Sequence, residues 1–216
     1  NNGPLLMLVC IHKEESLAGL MRILKFCHGT PEKPISIIAL QLLQLTGRCA
    51  MPIMAPLHEV SLISALRSNI DRCTRIVNSF LYRERETEGR NRAQHFVAMS
   101  PYATMHNDIC NLAYEKTVGL VLIPFHTIWT TDGSVKESSL SIREVNNLVL
   151  QKAPCSVGIF IDRSNLKETA VENSVYRILV VFIGGVDDYE ALAYSRLFAN
   201  HPNVRLDVIW FKSAIG

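Results

Sequence analysis

Fully apolar runs of strand length recur along this chain, each followed by a stretch with helical spacing, and nothing else constrains the fold as much. Leu5, Leu6, Met7, Leu8, Val9, Cys10 and Ile11 include no polar residue, the pattern of a strand buried on both faces. Such strands need helices on both sides of a parallel sheet, so the pattern predicts an open, doubly wound α/β unit with right-handed crossovers. Leu17, Leu20, Met21 and Leu24 follow at i, i+3, i+4 and i+7, with Ser16 as N-cap and Gly29 and Pro31 as the stop. Residues 35–45 read as the second strand and 46–60, with Pro52 and Pro56, as loop. Leu62, Leu66, Ile70, Cys73, Val77 and Phe80 then trace one face of a long helix, and 83–92 read as a solvated helix end and loop. A short strand at 95–99 leads to Ser100 and Pro101 as N-cap and N1, and to a helix burying Tyr102, Met105, Ile109 and Leu112. Residues 118–123 form the fourth strand, and 124–137 read as a polar loop. Ser141 and Glu144 make a capping box for a helix with Ile142, Val145 and Val149 inward, and 155–161 close a five-stranded set.

The alternation then begins again. Ile178, Leu179, Val180, Val181, Phe182 and Ile183 make a new apolar strand that passes through Gly184 and Gly185 into a helix containing Leu192, Ser195, Arg196 and Phe198. A further strand spans 204–211. The expected organisation is a first domain at 1–162, a linker at 163–177, and at 178–216 the start of a second domain, a partial α/β unit cut short. The opening Asn1, Asn2, Gly3, Pro4 lacks a Met and shows no secretory pattern, so the chain reads as a piece of a larger protein. A net charge of +2 gives no electrostatic case for nucleic acid or an anionic membrane, and no apolar stretch has the length of a spanning helix. The six cysteines show no metal-ligand spacing and read as reduced, buried thiols in a cytosolic setting.

Motifs for chemistry are scarce. There is no Walker loop, Gly-x-Gly-x-x-Gly, His-Glu-x-x-His or Gly-x-Ser-x-Gly, so the chain is not expected to be an enzyme. Only Gly184 and Gly185, between a strand and a helix, resemble a phosphate loop. Asp187, Asp188 and Glu190 follow in the first helical turn, where they satisfy free amides and repel a phosphate. His12, after the first strand, and His126, after the fourth, belong to the carboxyl edge of the sheet, where open α/β folds collect ligands and where imidazoles can sense pH near neutrality. Val157, Ile159 and Ile161 alternate along the last strand of the first unit, an apolar edge that needs cover from a second copy or from the second unit. Serines and threonines crowd the stretch from Thr127 to Ser139, a place where phosphorylation would add charge near a helix start.

The order of elements, ending in Lys152, Ala153, Pro154, Cys155, Ser156 and Val157, resembles the universal stress protein fold over about residues 5–162. ATP-binding members of that family carry Gly-x-x-Gly, nine residues and Gly-Ser/Thr after the fourth strand. Here the corresponding positions read Pro124, Phe125, His126, Thr127 and later Ser139, Leu140, Ser141, and His12-Lys13 replace the usual acidic residue after the first strand. The resemblance therefore implies no cofactor, with ATP unlikely because the phosphate-binding glycines are missing. A more specific resemblance rests on Ser100 to Ala113, Ile123 to His126, Leu40 to Arg48, Ala153 to Gly158, and Gly184 to Tyr194. These segments look like the cytosolic C-terminal tail of plant cation/proton exchangers, with Tyr189 where that family more often has Arg. That resemblance implies a regulatory domain of a monovalent cation (potassium or sodium)/proton antiporter at the cytoplasmic side of an endomembrane or the plasma membrane. It implies the antiporter's membrane domain as partner, a homodimer, and regulatory proteins or kinases. The alternatives are a free-standing nucleotide-binding universal stress protein, or an enzyme of the related nucleotidyl transferase and amide-forming ligase group.

Overall fold

A computed structural model describes residues 5–27, 34–45, 53–56, 67–86, 91–130, 132–163 and 175–212. In chain order the first unit holds β1 (Leu5–Ile11), α1 (Leu17–Phe26), β2 (Ile35–Gln44), β3 (Ile53–Pro56), α2 (Arg67–Glu86), β4 (Asn91–Ser100) and α3 (Tyr102–Glu115). It continues through β5 (Leu120–Pro124), β6 (Thr127–Trp129), β7 (Val135–Ser138), α4 (Leu140–Lys152) and β8 (Ser156–Phe160). The main sheet has the order β3-β4-β2-β1-β5-β8, and its five expected strands, β4, β2, β1, β5 and β8, run parallel to one another. Val9 lies opposite Ala39 on one side and Leu122 on the other, which puts the fully apolar β1 at the centre.

Each face of the sheet has its own core. Leu8, Cys10, Leu40 and Ala98 meet Met105 and Ile109 of α3 and Val145 and Val149 of α4. On the other face, Met7, Val9, Ile11 and Ile37 meet Leu20 and Leu24 of α1 and Ile76 and Phe80 of α2. Alternate residues of one strand thus serve opposite cores, as the strand's period of two requires. The doubly wound α/β fold is the observed one.

Several local features differ from the sequence reading. Residues 53–56 form an antiparallel edge strand on β4 where a loop is expected, because the proline that signals a loop is tolerated on a sheet edge. On α2, Ile76 rather than Val77 is the buried residue above Phe80; Leu62 and Leu66 lie outside the described residues. Ser16 is the N-cap residue of α1 as expected but makes no side-chain cap bond: a 3₁₀ turn at Glu14–Ser16 precedes the helix, and the Ser16 hydroxyl donates to Lys13 O at 2.7 Å. Pro101, not Ser100, is the N-cap of α3, and Ser100 ends β4. Ser139 caps α4, accepting from the Ile142 amide at 3.3 Å, while Ser141 is already helical. Cys10 and Cys27 are buried thiols as expected, but Cys110 and Cys155 are partly exposed.

The stretch expected to be a polar loop after β5 is a β-hairpin. β6 and β7 pair antiparallel, and Gly133, at φ 87°, supplies the left-handed turn residue. Its last strand is exposed throughout, so no apolar alternation marks it in the sequence.

The second unit consists of β9 (Tyr176–Phe182), α5 (Val186–Ala199) and β10 (Val204–Trp210). Its strand starts at Tyr176, inside the stretch read as linker, and the two strands pair in parallel with α5 packed on them. The unit also touches the first. The Tyr194 hydroxyl donates to Gly119 O at 2.9 Å, Ser156 donates to Glu190, and the Phe26 and Tyr176 rings lie 4.5 Å apart. Among the described residues no helix is long and apolar enough to cross a membrane.

Candidate functional site

The carboxyl ends of β1 and β5 bring His12 and His126 to one small cavity, which Lys13, Phe125, Glu137 and Ile142 also line. The cavity measures about 20 Å³, room for a single water. His12 is 8% exposed, and neither ring nitrogen has a partner in the protein. Burial, helped by the neighbouring Lys13 charge, lowers its pKa to about 4, so the ring is neutral at neutral pH. His126 is also held below its ordinary value, first by burial and then by Arg143. Glu137 pairs with Lys13, which lowers the carboxyl pKa and closes the rim. Two histidines are therefore brought together where the sequence puts them, but both are biased toward the neutral form.

Beside this cavity, the edge at which such folds hold ligands is occupied by the protein's own side chains. The β6–β7 hairpin folds back so that Phe125 and Trp129 stack with centroids 5.8 Å apart, and the Arg163 guanidinium lies 4.9 Å above the Trp129 ring. The Phe125 amide donates to Phe160 O at 2.8 Å and ties its base to β8, while Ser139 N to His126 O at 3.0 Å continues the hairpin's own ladder. The crevice left between the hairpin and the start of α1 measures about 140 Å³, with Glu15 and Asp162 against Lys136. That is below the ~300 Å³ at which small-molecule pockets begin. Asn146 holds the α4 side, donating to Pro124 O at 2.9 Å. The bulky Phe125 and Trp129 escaped sequence reasoning, whose only signal there was the absence of glycine.

At the second unit, Gly184 has φ 111° and opens the turn before α5. The Asp188 carboxylate accepts from the Ile183 and Gly184 amides, each at 2.8 Å, and these bonds lower its pKa. Asp187 stands in the same first turn, and Glu190 turns instead to Ser156 of the first unit. Gly185 is the N-cap, with no side-chain bond to it. The amides that resemble a phosphate loop are thus taken by a carboxylate from the helix they precede.

The outer edge of β8 carries no strand among the described residues. Val157 packs partly on the core, whereas Ile159 is 40% exposed and Ile161, past the strand's end, is 50% exposed. The second unit meets β8 through side chains of α5 and adds no strand to its ladder. Of the remaining histidines, His106 faces Lys152, Nε2 to Nζ 3.0 Å, a partner no sequence pattern signals. Among the described residues no group of three or more His, Cys, Asp and Glu side chains is placed to hold a metal ion.

Comparison with known proteins follows the same division of the chain. Residues 37–165 match the family model described as plant cation/H(+) antiporter domain, and residues 175–214 match that of the plant cation/H(+) antiporter C-terminal domain. Cation/H(+) antiporter 14 of Arabidopsis thaliana is 38% identical over 209 residues, covering 95% of this chain and 25% of that protein. Cation/H(+) symporter 13 of the same plant is 36% identical, covering 98% of this chain and 25% of its own length. The chain thus spans about a quarter of the relatives it matches. Solved structures of related shape include a protein from the universal stress protein family of Burkholderia pseudomallei. It has a TM-score of 0.40 at 12% identity, covering 72% of this chain and 94% of that one.

Proposed function

Because this chain belongs to the plant cation/H(+) antiporter family, we propose that it is the regulatory module of a monovalent cation/proton antiporter, working without catalysis and without nucleotide. It acts from the cytoplasmic side of an endomembrane or the plasma membrane, on potassium or sodium exchange carried out by the membrane domain of the same protein. Regulatory proteins or kinases reach it from the cytosol, and two copies associate through β8.

The observation that carries this reading is the closed carboxyl edge. Phe125 and Trp129 stack at the carboxyl edge of the sheet, and Asp188 holds the amides of the glycine turn before α5. A carboxylate so placed disfavours a phosphate electrostatically as well as sterically. The free-standing nucleotide-binding alternative needs those amides open.

The test is transport. Full-length antiporter and a variant lacking residues 5–212 are reconstituted in vesicles, and cation-driven proton flux is followed against the pH of the cytoplasmic face. The regulatory reading expects flux to persist in the shortened protein with an altered pH response. Flux abolished despite normal insertion, or an unchanged pH response, would count against it.

A further inference from the structure

Where the two units meet, a crevice of about 440 Å³ opens between α1, the chain leaving β8, and β9. That volume lies within the ~300–1,000 Å³ of small-molecule sites, which favour joints between units. The floor is apolar, built from Ile23 and Phe26 of α1, Phe160 of β8, Tyr176 and Ile178 of β9, and Phe198 of α5. Phe26 is further fixed by the edge-on ring of His201, 5.4 Å away, so its ring is held from two sides. This crevice shares no lining residue with the histidine cavity, and it borders the closed carboxyl edge through Phe160, Asp162 and Arg163.

Three guanidinium groups stand around that floor, Arg22, Arg163 and Arg177, against one carboxylate, Asp162. Two of the three are engaged: Arg177 donates to Asp207 at 3.0 Å, and Arg163 lies over Trp129. Asp162 is pressed against α1, where even a Cβ on Gly19 would meet its carboxylate oxygen. Arg22 is half-buried and has no ion pair or hydrogen bond to any of the described residues. A guanidinium offers five donors in a planar fork that matches a carboxylate.

We propose that this crevice binds a small amphipathic carboxylate, its aliphatic or aromatic body on the Phe26–Tyr176 floor and its head on Arg22. The walls come from both units, so an occupant would tie the second unit to the first. The inference stands independently of the regulatory reading, because it needs only the geometry of the joint.

Titration calorimetry on the 216-residue chain with octanoate, octanol and octylamine tests it. Octanoate should bind at least about tenfold more tightly than either uncharged or cationic analogue, the factor expected of a charge-assisted hydrogen bond. Arg22→Gln should bring octanoate to the level of octanol, and Arg22→Lys should restore part of the difference. Ile178→Trp, which fills the floor without altering a charge, should remove binding of both while the circular dichroism spectrum is kept. Equal binding of octanoate and octanol, octanoate binding unchanged in Arg22→Gln, or no heat at millimolar octanoate would overturn the proposal. If Ile178→Trp fails to fold, the comparison of the two Arg22 variants still decides.

Discussion

His12 is the residue whose environment departs furthest from what its position suggests. Its ring is buried and unpartnered, with a pKa lowered to about 4 from an ordinary 6.5. The unfolded chain therefore takes up a proton before the native one does. Its contribution to stability is complete above pH 6.5 and is lost as pH falls toward 4, by about 3 kcal/mol if the whole shift is realised. Urea unfolding of the chain and of His12→Gln across pH 4–7.5 should show a steep acid loss that the variant lacks. Equal slopes would mean that the ring is hydrated or partnered. Burial lowers His126 as well, so both rings of this cavity favour the neutral form. Ser139 gives a simpler residue-scale test. It is the only cap of α4 that bonds through a side chain, so Ser139→Ala should cost about 1 kcal/mol, read as a lower urea midpoint at unchanged slope. Ser141→Ala should cost much less, because that residue sits within the helix.

At the scale of elements, β8 is the strand proposed to join two copies of the chain. It pairs with β5 on one side, its other edge carries no strand among the described residues, and Ile159 is exposed. Open apolar edges are templates for another strand, and a lysine there is the usual protection. Sedimentation should therefore find a dimer, and Ile159→Lys should shift it to monomer while leaving the far-ultraviolet spectrum unchanged. A strict monomer before substitution would remove β8 as the contact. The hairpin β6–β7 is the other element with consequences. Its length, its exposed second strand and the Gly133 turn leave it no apolar period, so the sequence shows only a polar stretch. Its identity comes from docking: the Phe125 N to Phe160 O bond and the Phe125–Trp129 stack hold it at the sheet edge.

For the whole molecule, the closed edge and the carboxylate-held glycine turn lead to one expectation. Calorimetric titration with ATP or AMP should give no saturable heat in the micromolar range, and a micromolar affinity would restore the nucleotide-binding alternative. How much of this was legible beforehand follows from what each feature depends on. The five parallel strands and their helices were written in the sequence, because a strand buried on both faces must be apolar at every position, and β1 is. The carboxylates after Gly184 were likewise visible, since a helix that starts at Val186 puts Asp188 in its first turn, where it reaches back to the turn. The antiparallel β3, the choice of Ser139 over Ser141 as cap, and Ile76 over Val77 as the inward residue were not, because each turns on a register or phase set by neighbours distant in sequence. His12 and His126 were both assigned to the carboxyl edge of the sheet beforehand, whereas the gathering of Arg22 with the floor supplied by β9 and α5 was out of reach for the same reason. The sequence by itself determined the layers and the family, through local period and motif; the tertiary structure alone decided which side chains close the sheet edge and which line the joint, because those contacts join segments with no local signal of one another.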